Sequence, residues 1–180
     1  MNEDDDTERV RECLRGNTQA FSALVEQYEK PLYNLALRML RNPEDARDIA
    51  QTVFLKAYQN LSSYDPQYKF YSWIYRMAIN ESLNILRVRG RNVGPVDDQH
   101  PTDDAGPVET LAGDQERNAV LAAVDRLKPE YRAVIVLRYF VDQSYEDMGQ
   151  ALGIDSKTVK SRLFTARQLL KDQLASRGAL

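Results

Sequence analysis

Five basic side chains, with no acid among them, lie on one short segment near the C-terminal end of the chain. They are Lys157, Lys160, Arg162, Arg167 and Lys171. Apolar residues recur in the same segment at spacings of four, three and four: Val159, Leu163, Ala166 and Leu170. This periodicity predicts a helix with one narrow apolar face. The opposite face carries Lys157, Thr158, Lys160, Ser161, Arg162, Thr165 and Arg167. Basic side chains bind phosphate, and basic or hydroxyl groups reach base edges, so this face predicts contact with nucleic acid.

A second helix and a tight turn precede this basic helix. Ser144 is a good N-cap, Gly153 suits the helix end, and Ile154 can fill the turn. Gly149 provides a small residue where two helices would cross closely. Together these features predict a helix-turn-helix from about Ser144 to Leu170, whose second helix enters the major groove. The alternative is a plain helical hairpin with a solvated basic face.

Aromatic side chains are concentrated in a second segment. Six lie within twelve residues: Tyr64, Tyr68, Phe70, Tyr71, Trp73 and Tyr75. Basic residues accompany them: Lys69, Arg76, Arg87, Arg89 and Arg91. Such a cluster can stack the bases of a single strand, although aromatic residues more often pack in a core. The polar stretch 64–69 is an unusual place for core rings, and the amides of Asn80 and Asn84 follow one turn apart, where they can read base edges.

Side chains for covalent catalysis or metal binding are few. Cys13 and His100 are the only residues of their types, too few for a structural zinc site or an evident nucleophile and base pair. We therefore predict no metal, no cofactor and no enzymatic activity. A carboxylate-based hydrolase stays open, and a broad activity screen would detect one.

The N-terminal part of the chain has helical periodicity throughout. One apolar stripe ends near Pro31, and a second runs from Leu32 to Leu40. A third helix starts with Asn42 as N-cap and Pro43 in its first turn. Its apolar stripe leaves Asp48, Gln51, Thr52 and Lys56 toward solvent or a partner. A fourth helix is predicted from about Ser72 to Arg89.

An acidic segment separates this part from the helices at the C-terminal end. Residues 92–116 hold seven acids, three prolines and no Lys or Arg. This composition predicts a flexible linker that reaches roughly 25–30 Å on average. The chain thus divides into helical domains at residues 1–91 and 117–180, and Pro129 begins a further buried helix in the second. The predicted fold class is all-α. The formal charge of −3 conceals two basic patches on either side of this linker.

The chain lacks signals for a membrane address. Its longest apolar run, Ala133 to Leu137, is far too short to span a bilayer, and its first six residues are acidic where a signal peptide is basic. A cytoplasmic location is the expectation.

The order of motifs resembles that of a bacterial extracytoplasmic-function sigma factor, a group IV member of the sigma-70 family. The motifs are DARDIAQTVFLKAY, FYSWIYRMAIN, an acidic linker and SYEDMGQALGIDSKTVKSRLFTAR, over about residues 8 to 174. Such proteins are two-domain initiation subunits of RNA polymerase. The resemblance implies an alternative sigma factor that recognises a −35 duplex and melts the −10 element.

The resemblance also implies roles for individual residues. The third helix would dock on the clamp helices of the largest polymerase subunit through Asp48, Gln51, Thr52, Leu55 and Lys56. Thr52 departs from the acidic residue usual in the family at that position. The second domain would meet the flap of the second-largest subunit, and the linker would thread near the RNA path.

Two further sets of residues would contact promoter DNA. The −10 set is Tyr64, Tyr68, Lys69, Phe70, Tyr71, Trp73, Arg76, Asn80 and Asn84, with residues 62–71 forming the loop that captures a flipped base. The −35 set is Ser156, Lys157, Thr158, Lys160, Ser161, Arg162, Phe164, Thr165 and Arg167. Arginine is frequent in relatives at the position of Thr165. Many family members are silenced by an anti-sigma factor, and we expect one here.

A rival interpretation is a stand-alone transcription regulator, in which the N-terminal helices sense a ligand or dimerise. Such a protein needs no polymerase, and it has no use for the aromatic and asparagine segment. Binding to core RNA polymerase discriminates between the two.

Overall fold

The computed structural model describes residues 3–92 and 111–176, with side chains for residues 5–90 and 117–176. Within those ranges the chain is helical and has no strand, so the all-α fold class is confirmed. Eight α-helices follow one another: α1 Glu3–Leu14, α2 Thr18–Leu40, α3 Pro43–Gln59, α4 Phe70–Asn92, α5 Leu111–Asp125, α6 Pro129–Tyr139, α7 Tyr145–Leu152 and α8 Ser156–Ala175. A short 3₁₀ turn, Leu61–Ser63, lies between α3 and α4.

Helix α2 is the centre of the first bundle and packs against α1, α3 and α4. It continues through Pro31, so the predicted break at this residue is wrong. Proline removes one hydrogen-bond donor and crowds the preceding turn. The residues on either side, Tyr28, Leu32 and Leu35, are fully buried, and their packing holds both halves in one helix.

The start of α3 agrees with the sequence prediction. Asn42 has an extended backbone, and its side-chain oxygen accepts hydrogen bonds from the N–H groups of Glu44 at 2.9 Å and Asp45 at 3.0 Å. Pro43 occupies the first turn, where its missing donor has no cost. This cap fixes where α3 begins and therefore which of its residues face outward.

Helices were predicted throughout the N-terminal part, but the bounds of α1 were not predicted separately. The first turn of α1 is acidic, and acidic residues favour the N-terminus of a helix. In the sequence analysis these acidic residues were used only as evidence against a signal peptide. Asp6 of this helix is buried and accepts hydrogen bonds from the hydroxyl of Tyr28 and from Nε2 of Gln27, the latter at 3.0 Å. Burial raises the pKa of Asp6, and these hydrogen bonds only partly oppose that rise.

The second bundle begins earlier than the sequence predicted. Helix α5 starts at Leu111, inside the range 92–116 that we assigned to the linker. No proline follows Pro107 in that range, and Gln115 and Glu116 are good helix formers, so only Gly113 disfavours the helix. The predicted flexible linker covers residues 92–116. Of these, residues 93–110 lie outside the described residues.

The two bundles pack against each other. Helix α4 lies on α7, and α2 lies on α6. Arg132 of α6 donates a hydrogen bond of 2.7 Å to the backbone carbonyl of Met39, and Arg41 forms a 2.9 Å ion pair with Asp125. The buried side chains of both bundles form one connected cluster. In the described ranges no helix is both long and apolar enough to cross a bilayer.

Candidate nucleic-acid interface

The helix-turn-helix has the local geometry that the sequence predicted. The Ser144 hydroxyl caps α7 by accepting a hydrogen bond of 3.1 Å from the N–H of Asp147. Gly153 ends the helix with φ at 65°, in the left-handed region that favours glycine. A Cβ at Gly149 would lie 2.8 Å from the backbone oxygen of Ile154, so a larger residue cannot fit without movement of the turn.

Gly149→Ala is expected to destabilise the protein by about 1–3 kcal/mol, because overpacking against the turn outweighs the better helix propensity of alanine. Gly90→Ala is the matched control, since Gly90 also lies in a helix but no atom within 4 Å would meet its Cβ. That change should stabilise by about 0.5–1 kcal/mol. Urea unfolding of both variants checks this, and a Gly149→Ala variant at least as stable as the unchanged chain would contradict it.

Helix α8 is fixed at its start by a cap that sequence analysis did not identify. The Asp155 carboxylate accepts hydrogen bonds from the N–H of Thr158 at 2.7 Å and from its hydroxyl at 2.9 Å. These bonds hold the pKa of Asp155 below its usual value. The pattern Asp-x-x-Thr before an apolar stripe was the available signal.

The apolar seam of α8 is buried at Val159, Leu163 and Ala166, which turns the predicted −35 face outward. Five of its residues are exposed: Lys157, Lys160, Ser161, Phe164 and Arg167. Four are half-buried: Ser156, Thr158, Arg162 and Thr165. Phe164 is 64% exposed, so its ring is accessible on this face. This face can contact DNA through cations, hydroxyls and one ring.

Two tyrosines beside this face contact its basic side chains. Nε of Arg167 donates a 2.8 Å hydrogen bond to the hydroxyl of Tyr139, which raises the pKa of Arg167. The ammonium of Lys160 lies 5.5 Å from the ring centroid of Tyr145, within the range of a cation–π interaction. Sequence analysis had assigned no role to either tyrosine.

The aromatic segment divides into core rings and exposed rings. Phe70 is 2% exposed and Tyr64 is 8% exposed, and their rings meet edge to face at 5.6 Å. The Tyr64 hydroxyl also donates a 2.6 Å hydrogen bond to the carbonyl of Tyr68. For these two residues core packing is the correct interpretation, because no ring face is left for a base. The stacking surface is reduced to Tyr68, which is 50% exposed, and the half-buried Trp73.

A polar row continues along α4. Arg76, Asn80 and Asn84 are exposed and lie four residues apart, which places them on one face of the helix. Oδ1 of Asn84 accepts a 3.2 Å hydrogen bond from Arg87, whereas Asn80 projects from the middle of the row. The loop predicted before α4 is confirmed only in part, since the 3₁₀ turn occupies residues 61–63 and Phe70 already belongs to the helix.

The predicted core-binding face of α3 is continuous. Asp48, Gln51, Leu55 and Lys56 are exposed, Thr52 is half-buried, and the ammonium of Lys56 pairs with Glu81 of α4. Leu55 is 58% exposed and Tyr58, which sequence analysis missed, is 45% exposed. The exposed apolar surface of these two residues, set among polar groups, is typical of a protein interface.

An open cleft of about 560 Å³ lies beside the contact between α4 and α7 and is lined by residues from both bundles. One wall includes Tyr68, Trp73 and Arg76, and the other includes Gln150 and Ser156. The guanidinium of Arg76 lies beside Gly153, 3.2 Å from where a Cβ would be. This cleft brings predicted −10 and −35 residues together, which the sequence could not reveal because the cleft joins two bundles.

Comparison with known proteins identifies two family segments. Residues 24–92 match the family model described as sigma-70 region 2, and residues 117–170 match the model described as sigma-70 region 4. The chain is 32% identical to the ECF RNA polymerase sigma factor SigW of Bacillus subtilis, over 92% of this chain and 95% of that one. It is 30% identical to the RNA polymerase sigma-H factor of Pseudomonas aeruginosa, over 97% and 96%.

Solved structures share the fold. The structure of CnrH in complex with the cytosolic domain of CnrY matches with a TM-score of 0.74 at 24% identity, covering 96% of this chain and 98% of that one. The sigma factor RpoE in complex with the anti-sigma factor NepR from Bartonella quintana matches with a TM-score of 0.67 at 23% identity, covering 86% and 96%.

Proposed function

Because this chain belongs to the ECF RNA polymerase sigma factors, we propose that it binds core RNA polymerase and directs initiation at specific promoters. The observation that carries the proposal is the pairing of two DNA-directed faces in one chain. A polar and aromatic face lies on α4 within region 2, and a basic face lies on α8 within region 4. A duplex-only regulator needs the second face but not the first.

The basic face of α8 is proposed to read the −35 element. In a helix-turn-helix the second helix lies in the major groove, where some of its side chains reach base edges and others contact phosphates. Lys160, Ser161, Phe164 and Thr165 would face bases, while Lys157 and Arg167 would neutralise phosphates. The Gly149 contact supports this role because it fixes the angle at which α7 and α8 meet.

The face of α4 is proposed to melt and capture the −10 element. A base flipped from a duplex loses a few kcal/mol of stacking and pairing, and a site that stacks and hydrogen-bonds the preferred base recovers that loss. Tyr68 and Trp73 offer rings, and Asn80 and Asn84 offer amides that can bond to a base edge. Capture of open DNA in this way needs no covalent chemistry.

Helix α3 is proposed to bind the clamp helices of the largest polymerase subunit, with region 4 near the flap of the second-largest. Leu55 lies between Gln51 and Lys56 on the exposed face, so an apolar contact would be surrounded by polar ones. That arrangement fits an interface with a small apolar centre and a polar rim.

An anti-sigma factor is the proposed regulator, and the cytoplasm the proposed location. The structural neighbour from Bartonella quintana is a sigma factor bound to an anti-sigma factor, and CnrH is bound to the cytosolic domain of CnrY. The exposed apolar side chains Phe140 and Phe164 would be available to such a partner.

A pull-down with core RNA polymerase tests the proposal. The tagged chain should retain the core enzyme, and the resulting holoenzyme should initiate transcription from promoters that core alone ignores. Failure to bind core would contradict the sigma factor function and would favour a stand-alone regulator.

Asn80→Ala is expected to weaken formation of the open complex by about tenfold, because each lost base contact costs roughly 1–3 kcal/mol. The Asn80 side chain is exposed, so the fold should not change. Permanganate footprinting of the melted region measures the effect, and the affinity for core polymerase is the control. Equal loss of melting and of core binding would instead show that Asn80 has a structural role.

A further inference from the structure

The last residue of α6 lies beside the proposed −35 face of α8 without belonging to that face. Tyr139 ends α6 and is 56% exposed, and its hydroxyl accepts the 2.8 Å hydrogen bond from Nε of Arg167. The guanidinium carbon of Arg167 also lies 5.7 Å from the centroid of the Tyr139 ring, within the range of a cation–π interaction. One tyrosine therefore holds, by two contacts, a cation that is proposed above to neutralise a phosphate.

The partner of this cation is a neutral group. The hydrogen bond to Tyr139 is the main cause that raises the pKa of Arg167, partial burial opposes it, and the hydroxyl of Tyr145 adds a smaller increase. No carboxylate is among these causes within the described part of the chain. A carboxylate partner would neutralise the guanidinium, whereas a phenol orients it and leaves its positive charge available to an anion.

The position of Arg167 along α8 favours a phosphate as that anion. Arg167 follows Lys160 by about two turns of helix, so the two side chains share one face of α8. The N-terminal residues of a recognition helix contact base edges in the major groove. Arg167 lies about 10 Å farther from that end than Lys160 does, at 1.5 Å per residue. We therefore expect it to meet the DNA backbone and not a base.

The hydrogen bond to Tyr139 uses the nitrogen that phosphate binding needs least. A guanidinium carries five N–H donors, and four of them are on its two η nitrogens, which can bind a phosphate in a bidentate manner. A free arginine side chain samples many rotamers and loses that freedom when it binds. Because the contact between Tyr139 and Arg167 exists before DNA arrives, less freedom remains to be lost.

We propose that Tyr139 is a positioning residue of the −35 face: it orients the guanidinium of Arg167 so that the η nitrogens bind one phosphate of the promoter duplex. This inference rests on the function proposed above. Tyr139 acts through Arg167, so α6 contributes to duplex binding although the helix-turn-helix itself consists of α7 and α8.

Tyr139→Phe tests the proposal, because phenylalanine keeps the ring and removes the hydroxyl that accepts the hydrogen bond. The probe is a labelled duplex selected from a random promoter library with core polymerase and the unchanged chain. Reconstituted holoenzyme with Tyr139→Phe should bind this duplex about three- to fivefold more weakly, within the range expected for one hydrogen bond. The slope of log affinity against log salt should not change, because Arg167 is still present to neutralise its phosphate.

Arg167→Ala provides the comparison that identifies a positioning role. This variant should flatten the salt slope by about 0.9, the value for one lost phosphate contact. Tyr139→Phe should have no further effect on affinity in the Arg167→Ala background, because the group that it orients is gone. Two residues that each contacted DNA independently would instead show additive effects.

Tyr131→Phe is the matched control. Tyr131 lies about two turns earlier on α6, is half-buried and belongs to none of the proposed binding faces. The same chemical change there should leave duplex affinity unaltered. Urea unfolding of the single variants provides a second control, and Tyr139→Phe should keep the midpoint of the unchanged chain because its hydroxyl is on the surface.

The outcomes separate positioning from other roles. Weaker binding at an unchanged salt slope, absent in the Arg167→Ala background, supports the proposal. Unchanged affinity in Tyr139→Phe overturns it, and so does an equal loss in both backgrounds. Failure of the proposed function has a different signature: the unchanged chain does not bind core polymerase or gives it no affinity for any duplex of the library, and this inference is then overturned as well.

Discussion

Leu55→Asp is expected to lower the affinity of the chain for core RNA polymerase by at least tenfold. Leu55 is 58% exposed near the middle of the polar face of α3, so burial of that fraction against the clamp helices would contribute about 1–2 kcal/mol. That free energy corresponds to roughly a five- to thirtyfold change in the dissociation constant. Aspartate adds the cost of removing a charge from water at an apolar contact.

Val88→Asp is the control for this substitution. Val88 is 56% exposed on α4 and lies outside the proposed core-binding face of α3, so the same chemical change should leave core affinity unaltered. Fluorescence anisotropy with labelled core polymerase measures both variants. An equal loss in the two would indicate a general effect on the fold or solubility, and no loss in Leu55→Asp would remove α3 from the interface.

Joint replacement of Lys157 and Lys160 by alanine is expected to weaken binding to −35 duplex at low salt and to flatten its salt dependence. Each lost phosphate contact reduces the slope of log affinity against log salt by about 0.9, so loss of the Lys157 contact reduces it by about that amount, and loss of Lys160 weakens the base contact as well. Both side chains are exposed on α8. Reconstituted holoenzyme should be used, because promoter recognition is proposed for the chain bound to core polymerase.

Lys171→Ala serves as the control, since Lys171 is exposed on the same helix but lies about three turns beyond Lys160 and outside the proposed −35 set. It should keep the original slope. A salt slope that is unchanged by the double substitution would contradict the placement of α8 in the groove.

Local chemistry explains which parts of the fold were predictable. The Asn42 and Ser144 caps and the Gly153 helix end depend on hydrogen bonds or backbone angles within a few residues. Gly149 was recognisable for a related reason, because the turn that it must approach follows directly in the chain. Features of this kind are determined by residues that lie close together in the sequence.

Tertiary packing explains what the sequence did not reveal. Pro31 lies inside a continuous helix because buried neighbours outweigh its local preference, and Phe70 is a core residue although it adjoins a polar loop. Asp147 is separated by more than seventy residues from Lys69 and Tyr71, the two region 2 residues that it meets. No periodicity or motif connects groups so far apart, so only the structure could reveal this contact between the two bundles.

Tyr71 was predicted from the sequence to face melted DNA, but in the structure it is buried and its hydroxyl donates a hydrogen bond to Asp147. Burial raises the pKa of this hydroxyl, which stays a hydrogen-bond donor at neutral pH.

Transcription from a library of random promoters, with core RNA polymerase and this chain, is the decisive measurement of promoter-specific initiation. We expect transcripts that are absent with core alone, from templates enriched in two short sequence elements near −35 and −10. We also expect that Asn80→Ala changes the preference only at the downstream element and that the joint substitution of Lys157 and Lys160 weakens dependence on the upstream one. Transcription no greater than with core alone would contradict the assignment of this chain as a promoter-specific initiation factor.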